Sequence, residues 1–171
     1  MAILVVLAFS FTFAASQPNS CELPADLKPL VHKTFPNKKV VSLADLGEDD
    51  RKFWEKDHGK SCPGLAQVDF YGDAKPTWAM VLFGDDPKSV NGVTALLVVA
   101  HKPDADWKIK IVESTNGIPV VWTQKPGKYT GLYKEKTIHA SYPVIVFCGY
   151  ESWAILYAWT GTRITKTWLM D

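Results

Sequence analysis

Residues 94–100, TALLVVA, constrain this chain more than any other stretch. They are apolar almost throughout, and they do not alternate. A strand with one wet face reads apolar, polar, apolar. A run without alternation has both faces covered, so this one belongs inside a sheet with material packed on each side. Other runs read as strands too: GLAQVDF, PTWAMVLFG, WKIKIVEST, IPVVWTQ, PVIVFCGY, SWAILYAW and TRITKTWLM. In WKIKIVE, Trp107, Ile109 and Ile111 alternate with Lys108 and Lys110, which predicts one face in water. The last two runs form a hairpin around Thr160-Gly161. Its register stays open. A two-residue loop pairs Trp159 with Thr162, and a three-residue loop pairs Ala158 with Thr162.

Helical patterns come first in the chain. ELPADLKPLVHKTFP puts Leu23, Leu27, Leu30, Val31 and Phe35 on one face. With Asp26 as N-cap, Pro29 falls in the first turn, where its missing N–H costs nothing, and Pro36 stops the helix. NKKVVSL predicts a short strand from Lys39 to Ser42. In the next segment Glu48, Asp49 and Asp50 sit at the N-terminal end, and Lys56, His58 and Lys60 at the C-terminal end, as the helix dipole favours. Phe53 and Trp54 supply its apolar face, and Gly59 suits its stop. The expected fold is therefore α+β: a mostly antiparallel sheet of about six strands, with two short N-terminal helices on one face.

The chain has 171 residues, enough for one domain. At 47% hydrophobic and 22% charged, it is unlike a disordered chain. A net charge of +1, with lysines interleaved among acids, argues against a nucleic-acid partner. Residues 1–16 read as a signal peptide. Ala2 to Ala15 is an apolar run too short to span a bilayer, and Ala14 and Ser16 suit the small positions before a cut after Ser16. No Lys or Arg precedes the run, and PNSC before Cys21 is unlike a lipid-attachment site. Residues 17–171 then form a single domain, secreted or periplasmic, with no membrane span after cleavage and expected to be a monomer.

Three cysteines follow: Cys21, Cys62 and Cys148. Export implies an oxidising space, hence one disulfide and one spare thiol, with three possible pairings. Cys148 lies in the apolar PVIVFCGY and reads as a small buried hydrophobe. Cys21 and Cys62 flank helix boundaries, so Cys21–Cys62 is the favoured pair. Closing that loop stabilises by about 4 kcal/mol in the chain-entropy account.

VDFYGDAKPTWAMVLFG, residues 68–84, resembles the D-x-[DN]-G-D-G-x-x-D calcium loop of integrin-type FG-GAP repeats. Asp69, Gly72 and Asp73 match its first, fourth and fifth positions. Tyr71, Ala74 and Thr77 replace an acid, the tight-turn glycine and the last acid. Two carboxylates would leave most of a six- to eight-coordinate ion to water, so YGDAKP is read as a hairpin turn with no metal or other cofactor. Propellers also need several such blades, and this chain has one. The wider DLGEDDRKFWEKDHGKSCPGLAQVDFYGDAKPTWAMVL, with WAILYAWTGTRI near the end, resembles a family of small exported bacterial proteins of unassigned function. The CPG…DFYGD…PTWA pattern carries that likeness. It implies no activity, and it is consistent with a Cys21–Cys62 pair.

Catalytic patterns are sparse. His32, His58, His101 and His139 do not stand at metal-ligand spacing, and no Gly-x-Ser-x-Gly surrounds Ser152. Cys62 with His58, and Cys148 with His139, are conceivable nucleophile–base couples, but a disulfide would remove the Cys62 thiolate. Glu113 and Glu151 are the acids near apolar strand ends that glycoside chemistry would use. Seven Trp and six Tyr are the better handle, because exposed aromatics on a sheet stack on sugars or contact proteins. Residues 124–136, QKPGKYTGLYKEK, read as a long exposed loop, and Tyr129 and Tyr133 within it are the candidate ligand-binding residues. The expected function is non-enzymatic recognition of a protein or an envelope glycan. A hydrolase acting on envelope material is the rival. If Asp69 and Asp73 hold no calcium, a chelator leaves the thermal midpoint unchanged; a shift of several degrees would reinstate the ion.

Overall fold

The computed structural model describes residues 17–85, 93–132, 137–150 and 152–170. Residues 1–16, expected to be a signal peptide, and the candidate residues Tyr133 and Glu151 lie outside the described residues. The elements run α1 (Lys28–Thr34), β1 (Lys39–Val40), a 3-10 turn (Leu43–Asp45), α2 (Glu48–His58), β2 (Leu65–Val68), β3 (Thr77–Asp85), β4 (Val93–His101), β5 (Lys108–Asn116), β6 (Val120–Gln124), β7 (Gly127–Thr130), β8 (Thr137–Ala140), β9 (Val144–Gly149), β10 (Trp153–Trp159) and β11 (Ile164–Met170).

β4 is central, as its lack of alternation demands. It pairs antiparallel with β3 from Thr77↔His101 to Asp85↔Val93, and with β5 on its other side. Ala95, Leu97 and Val99 face one core, and Val98 and Ala100 face another. The far edge of β3 is shared. β2 pairs with its first half and β1 with its second, and Val81 joins them by donating to Gly64 O and accepting from Val41 N–H. These strands make a five-stranded sheet. β11, β10, β9 and β6 make a second, four-stranded sheet in that order, and β7 pairs with β8 alone.

The molecule is thus layered. α1 covers one face of the first sheet, burying Leu27 and Val31 against Leu65, Met80, Leu82 and Val98. The second sheet covers the other face, with Val121, Ile145, Phe147 and Ile155 packed against Val81, Leu97 and Val99. The β7–β8 ribbon covers the outer face of the second sheet through Ile138 and Ala140 against Val144, Leu156 and Ala158. Each fully buried Leu, Ile, Val or Phe stabilises by about 1.5–3 kcal/mol relative to an exposed one.

An α+β composition with antiparallel sheets is present, and several details differ from expectation. Eleven strands in three sheets replace one sheet of about six among the described residues. A single sheet could not cover β4 on the face that α1 leaves open. The two helices serve different cores: α1 packs on the outer face of the first sheet, whereas Trp54 of α2 joins the core between the sheets. The cap of α1 is Leu27, with no side-chain cap hydrogen bond, and Asp26 pairs with Lys102, 2.5 Å distant. The terminal hairpin takes neither anticipated register. Trp159 pairs with Ile164, and Thr160 N–H donates to Arg163 O at 3.1 Å across a turn that puts Gly161 at φ 89°.

β5 alternates in exposure, yet its apolar side chains do not share a face. A bulge between Val99 and Ala100 shifts the pairing from Val99↔Ile111 to Ala100↔Ile109. Ile111 packs into the core between the sheets, while Ile109 and Trp107 pack on the α1 side. One extra residue moves everything beyond it to the opposite face.

The described chain starts with an anchor. Cys21 and Cys62 form a disulfide, Cys62 N–H donates to Pro18 O at 2.7 Å, and the Gln17 amide donates to Cys62 O (2.6 Å), Leu65 O and Val121 O (3.1 Å). Gln17 therefore bridges carbonyls of both sheets. Gln17→Ala is expected to lower unfolding free energy by about 1–2 kcal/mol, measured in urea, because it strips donors from partly buried carbonyls.

Candidate ligand-binding site

The two sheets meet differently at their two sides. Near β2 and β6 they are joined through the backbone, with Val121 N–H donating to Pro63 O at 2.8 Å and Gln17 bridging alongside. At the other side β5 and β11 are both sheet edges, and among the described residues no ladder joins them. Side chains close that gap. Glu113 of β5 sits opposite Leu97, so it points toward the second sheet. Tyr157 O–H donates to Glu113 Oε2 at 3.0 Å, and Lys166 Nζ donates to Oε1 at 2.8 Å. Burial beside this carboxylate pushes the Tyr157 phenol far above its usual pKa, so it stays a proton donor.

An aromatic corner opens next to this clasp. Ile155 pairs with Trp168 and Tyr157 with Lys166, so Trp168 and Lys166 of β11 share the inward face of the second sheet with Ile155 and Tyr157 of β10. Trp168 nonetheless remains 44% exposed, because it lies at the edge. Trp153 stands edge-on to Trp168 (centroids 6.5 Å apart, planes at 75°) and to buried Phe147 (4.8 Å, 65°). Gly149, paired with Trp153, makes room for this indole: a Cβ there would lie 2.8 Å from Nε1. Glu113, Ser114, Thr115, Trp153, Trp168 and the Phe147–Ile155 floor enclose a cleft of about 200 Å³. Ser114 pairs with Leu96 and so faces the α1 side, and the Thr115 hydroxyl donates to Asn116 O at 3.2 Å, which leaves two indoles beside a carboxylate, suited to a ligand with an apolar face and polar edges.

Sequence reasoning flagged Glu113 but passed over Trp153 and Trp168 as strand residues. The available signal was the Lys166-x-Trp168 spacing, which puts a cation and an indole on one strand face. Tyr129, a candidate binding residue from the sequence, lies on strand β7 rather than in a loop. Its ring packs against the outer core of the second sheet, and its hydroxyl donates to Lys125 O.

The turn that resembles a calcium loop has another occupation. Asp73 Oδ1 accepts from Lys75 N–H at 3.1 Å, an Asx turn, with Gly72 at φ 68° and Ala74 at φ 56°. Asp73 Oδ2 lies 3.1 Å from His101 Nε2, and His101 Nδ1 lies 2.8 Å from Thr77 Oγ1. Tyr71 packs on the imidazole at 4.4 Å. Carboxylate, imidazole and hydroxyl stand in the order of a catalytic triad. Thr77 is fully buried, however, so its hydroxyl cannot meet a substrate. The chain instead satisfies the polar atoms of a cross-strand pair, since Thr77 and His101 are register partners. Among the described residues no group of three or more His, Cys, Asp or Glu is placed to hold a metal ion.

Neither cysteine of the two couples offers a thiolate. Cys62 is bonded to Cys21, and His58 stacks on Trp54 at 4.2 Å. Burial raises the Cys148 thiol to about 12, so it stays protonated, while His139 is exposed on β8. A larger hollow of about 450 Å³ lies beside the disulfide, but Lys39 there is tied to Asp45 (2.7 Å) and Lys38 to Thr94 O (3.1 Å). No protein-family model matches the chain, and neither a curated protein nor a solved structure matches it.

Two histidines give the fold a pH dependence. Burial holds His101 below the ordinary imidazole range despite the raising influence of Asp73, and Lys110 lowers it further; burial also lowers His58. The unfolded chain, with histidines near about 6.5, takes up protons first as pH falls. Stability is thus fully present above that value and declines below it. Urea midpoints should drop between about pH 7.5 and pH 5.5, and His101→Gln should flatten that slope. An unchanged slope would mean that His101 is not held neutral.

Proposed function

We propose that the protein is an exported, non-enzymatic binding domain that recognises an envelope glycan at the corner between Trp153 and Trp168. The observation that carries this reading is the cleft itself. An exposed indole, a second indole at 75° to it, and a carboxylate already oriented by Tyr157 and Lys166 match what a sugar ring offers: an apolar C–H face and hydroxyl edges. The Cys21–Cys62 disulfide supports an oxidising compartment, secreted or periplasmic. No helix among the described residues is long and apolar enough to cross a membrane. A flat protein partner fits less well, because the aromatics line a recess rather than a raised patch.

The rival reading, a hydrolase for envelope material, needs two carboxyl groups flanking a bond. Glu113 is the one carboxylate among the described residues lining the cleft, and both its oxygens are engaged. Asp26 and Asp106 share another hollow of about 230 Å³, but the Lys102 ammonium, 2.5 Å from Asp26, lowers that carboxyl's pKa, so it is no general acid.

Co-sedimentation with purified insoluble envelope glycan tests the proposal. The wild type should pellet, Trp168→Ala should bind about tenfold more weakly, and no reducing ends should be released. Reducing ends appearing over time would favour the hydrolase. Equal pelleting of Trp168→Ala would remove the corner from the binding surface.

A further inference from the structure

A second hollow lies on the other face of the second sheet, beside the β7–β8 ribbon. Thr165 and Thr167 pair with Ala158 and Leu156, whose side chains belong to the core under the ribbon, so both threonines face the ribbon. Ile164 packs into the core between the sheets, so Arg163 before it falls on the ribbon side with Thr165. Thr137 and Ile138 of β8, with Thr162, Arg163 and Thr165 of the terminal hairpin, line a space of about 370 Å³. No carboxylate lines it among the described residues. Arg163 makes no ion pair among them. Thr165 is 6% exposed, and its hydroxyl has no hydrogen-bond partner among the described residues, so the partner it needs comes from the hollow. The other polar groups are engaged or turned away. Thr160 Oγ1 donates to Arg163 O at 3.0 Å, and Thr137 Oγ1 lies 3.5 Å from Thr130 Oγ1. His139 stands between Ile138 and Ala140, which face the sheet, so its ring is on the far side of the ribbon.

We infer that this hollow binds the carboxylate of a small hydrophilic acid, with Arg163 as counter-charge and the Thr165 hydroxyl as donor. A guanidinium fork matches the two oxygens of a planar carboxylate. One cation balances one negative charge, whereas a phosphate monoester carries about −1.5 to −2 and would be left partly uncompensated. The space exceeds the roughly 300 Å³ at which small-molecule pockets begin, so the acid carries a body as well as its charged group. This site lies on the face of β11 opposite Trp168 and does not depend on the glycan reading.

Titration of the purified protein with glucuronate, N-acetylalanine, glucose and glucose 6-phosphate tests the inference, followed by the Arg163 side-chain and Thr165 backbone N–H resonances. At least one of the two carboxylates should shift both resonances, and the one that does identifies a sugar acid or an amino-acid-like acid. The phosphate ester should bind more weakly, and glucose should leave both resonances in place. Arg163→Gln, at an exposed position, should keep the thermal midpoint and weaken binding about tenfold. Thr165→Val, which keeps the side-chain shape, should stay folded and weaken it about fivefold. The inference is overturned if neither carboxylate moves the resonances, if glucose or its phosphate binds as tightly as the acids, or if Arg163→Gln binds as the wild type does.

Discussion

β3 and β4 present apolar side chains to both sides, and water has to be kept from both. That requirement orders the rest of the molecule. On one side the cover is α1 with its cap, which bury Val31 and Leu27, and the helix is too short to be stable alone. It is held in place by the Cys21–Cys62 disulfide and by the Asp26–Lys102 pair. On the other side the cover is a second sheet. That sheet then exposes an apolar outer face of its own, and the β7–β8 ribbon closes it. Each layer exists because the one before it cannot face water.

The same stacking produces the site. Two sheets in face contact can be joined through the backbone at one side while their edges stay apart at the other. The facing edges of β5 and β11 are held together by Glu113, Tyr157 and Lys166, Leu132 N–H also bonds Trp168 O at 2.9 Å, and edge residues retain access to solvent. A large aromatic at such an edge can be anchored from below and open from above. Trp168 is that residue, and Trp153, seated over Gly149, is its neighbour. Because Glu113 serves the clasp and the cleft together, its substitution would disturb both, which makes Trp168 the cleaner probe of binding.

Much of the architecture could be read from residues. TALLVVA announced a central strand, the charge layout of α2 announced its ends, and the position of the cysteines favoured the observed bond. What escaped has physical reasons. GKYT, inside the segment 124–136 that reads as a loop, and TIHA after it are strands that depend on a face supplied by β9 and β10. The bulge in β5 is invisible because side-chain alternation continues through it while the face changes. The candidate site escaped for a related reason. Glu113 is distant in sequence from Trp153 and Trp168, and nothing local in either stretch says that the two edges meet. Asp73 is the turn residue its sequence context implies, but its second partner, His101, arrives through strand pairing.

The bulge between Val99 and Ala100 gives β5 two allegiances. Residues before it answer to the short helix, and residues after it answer to the opposite sheet. A change of size at Ile109 therefore calls for compensation at Leu27 or Val31, whereas one at Ile111 calls for it among the side chains of the second sheet. The two ends of a nine-residue strand are free to drift independently, each co-varying with a different part of the chain.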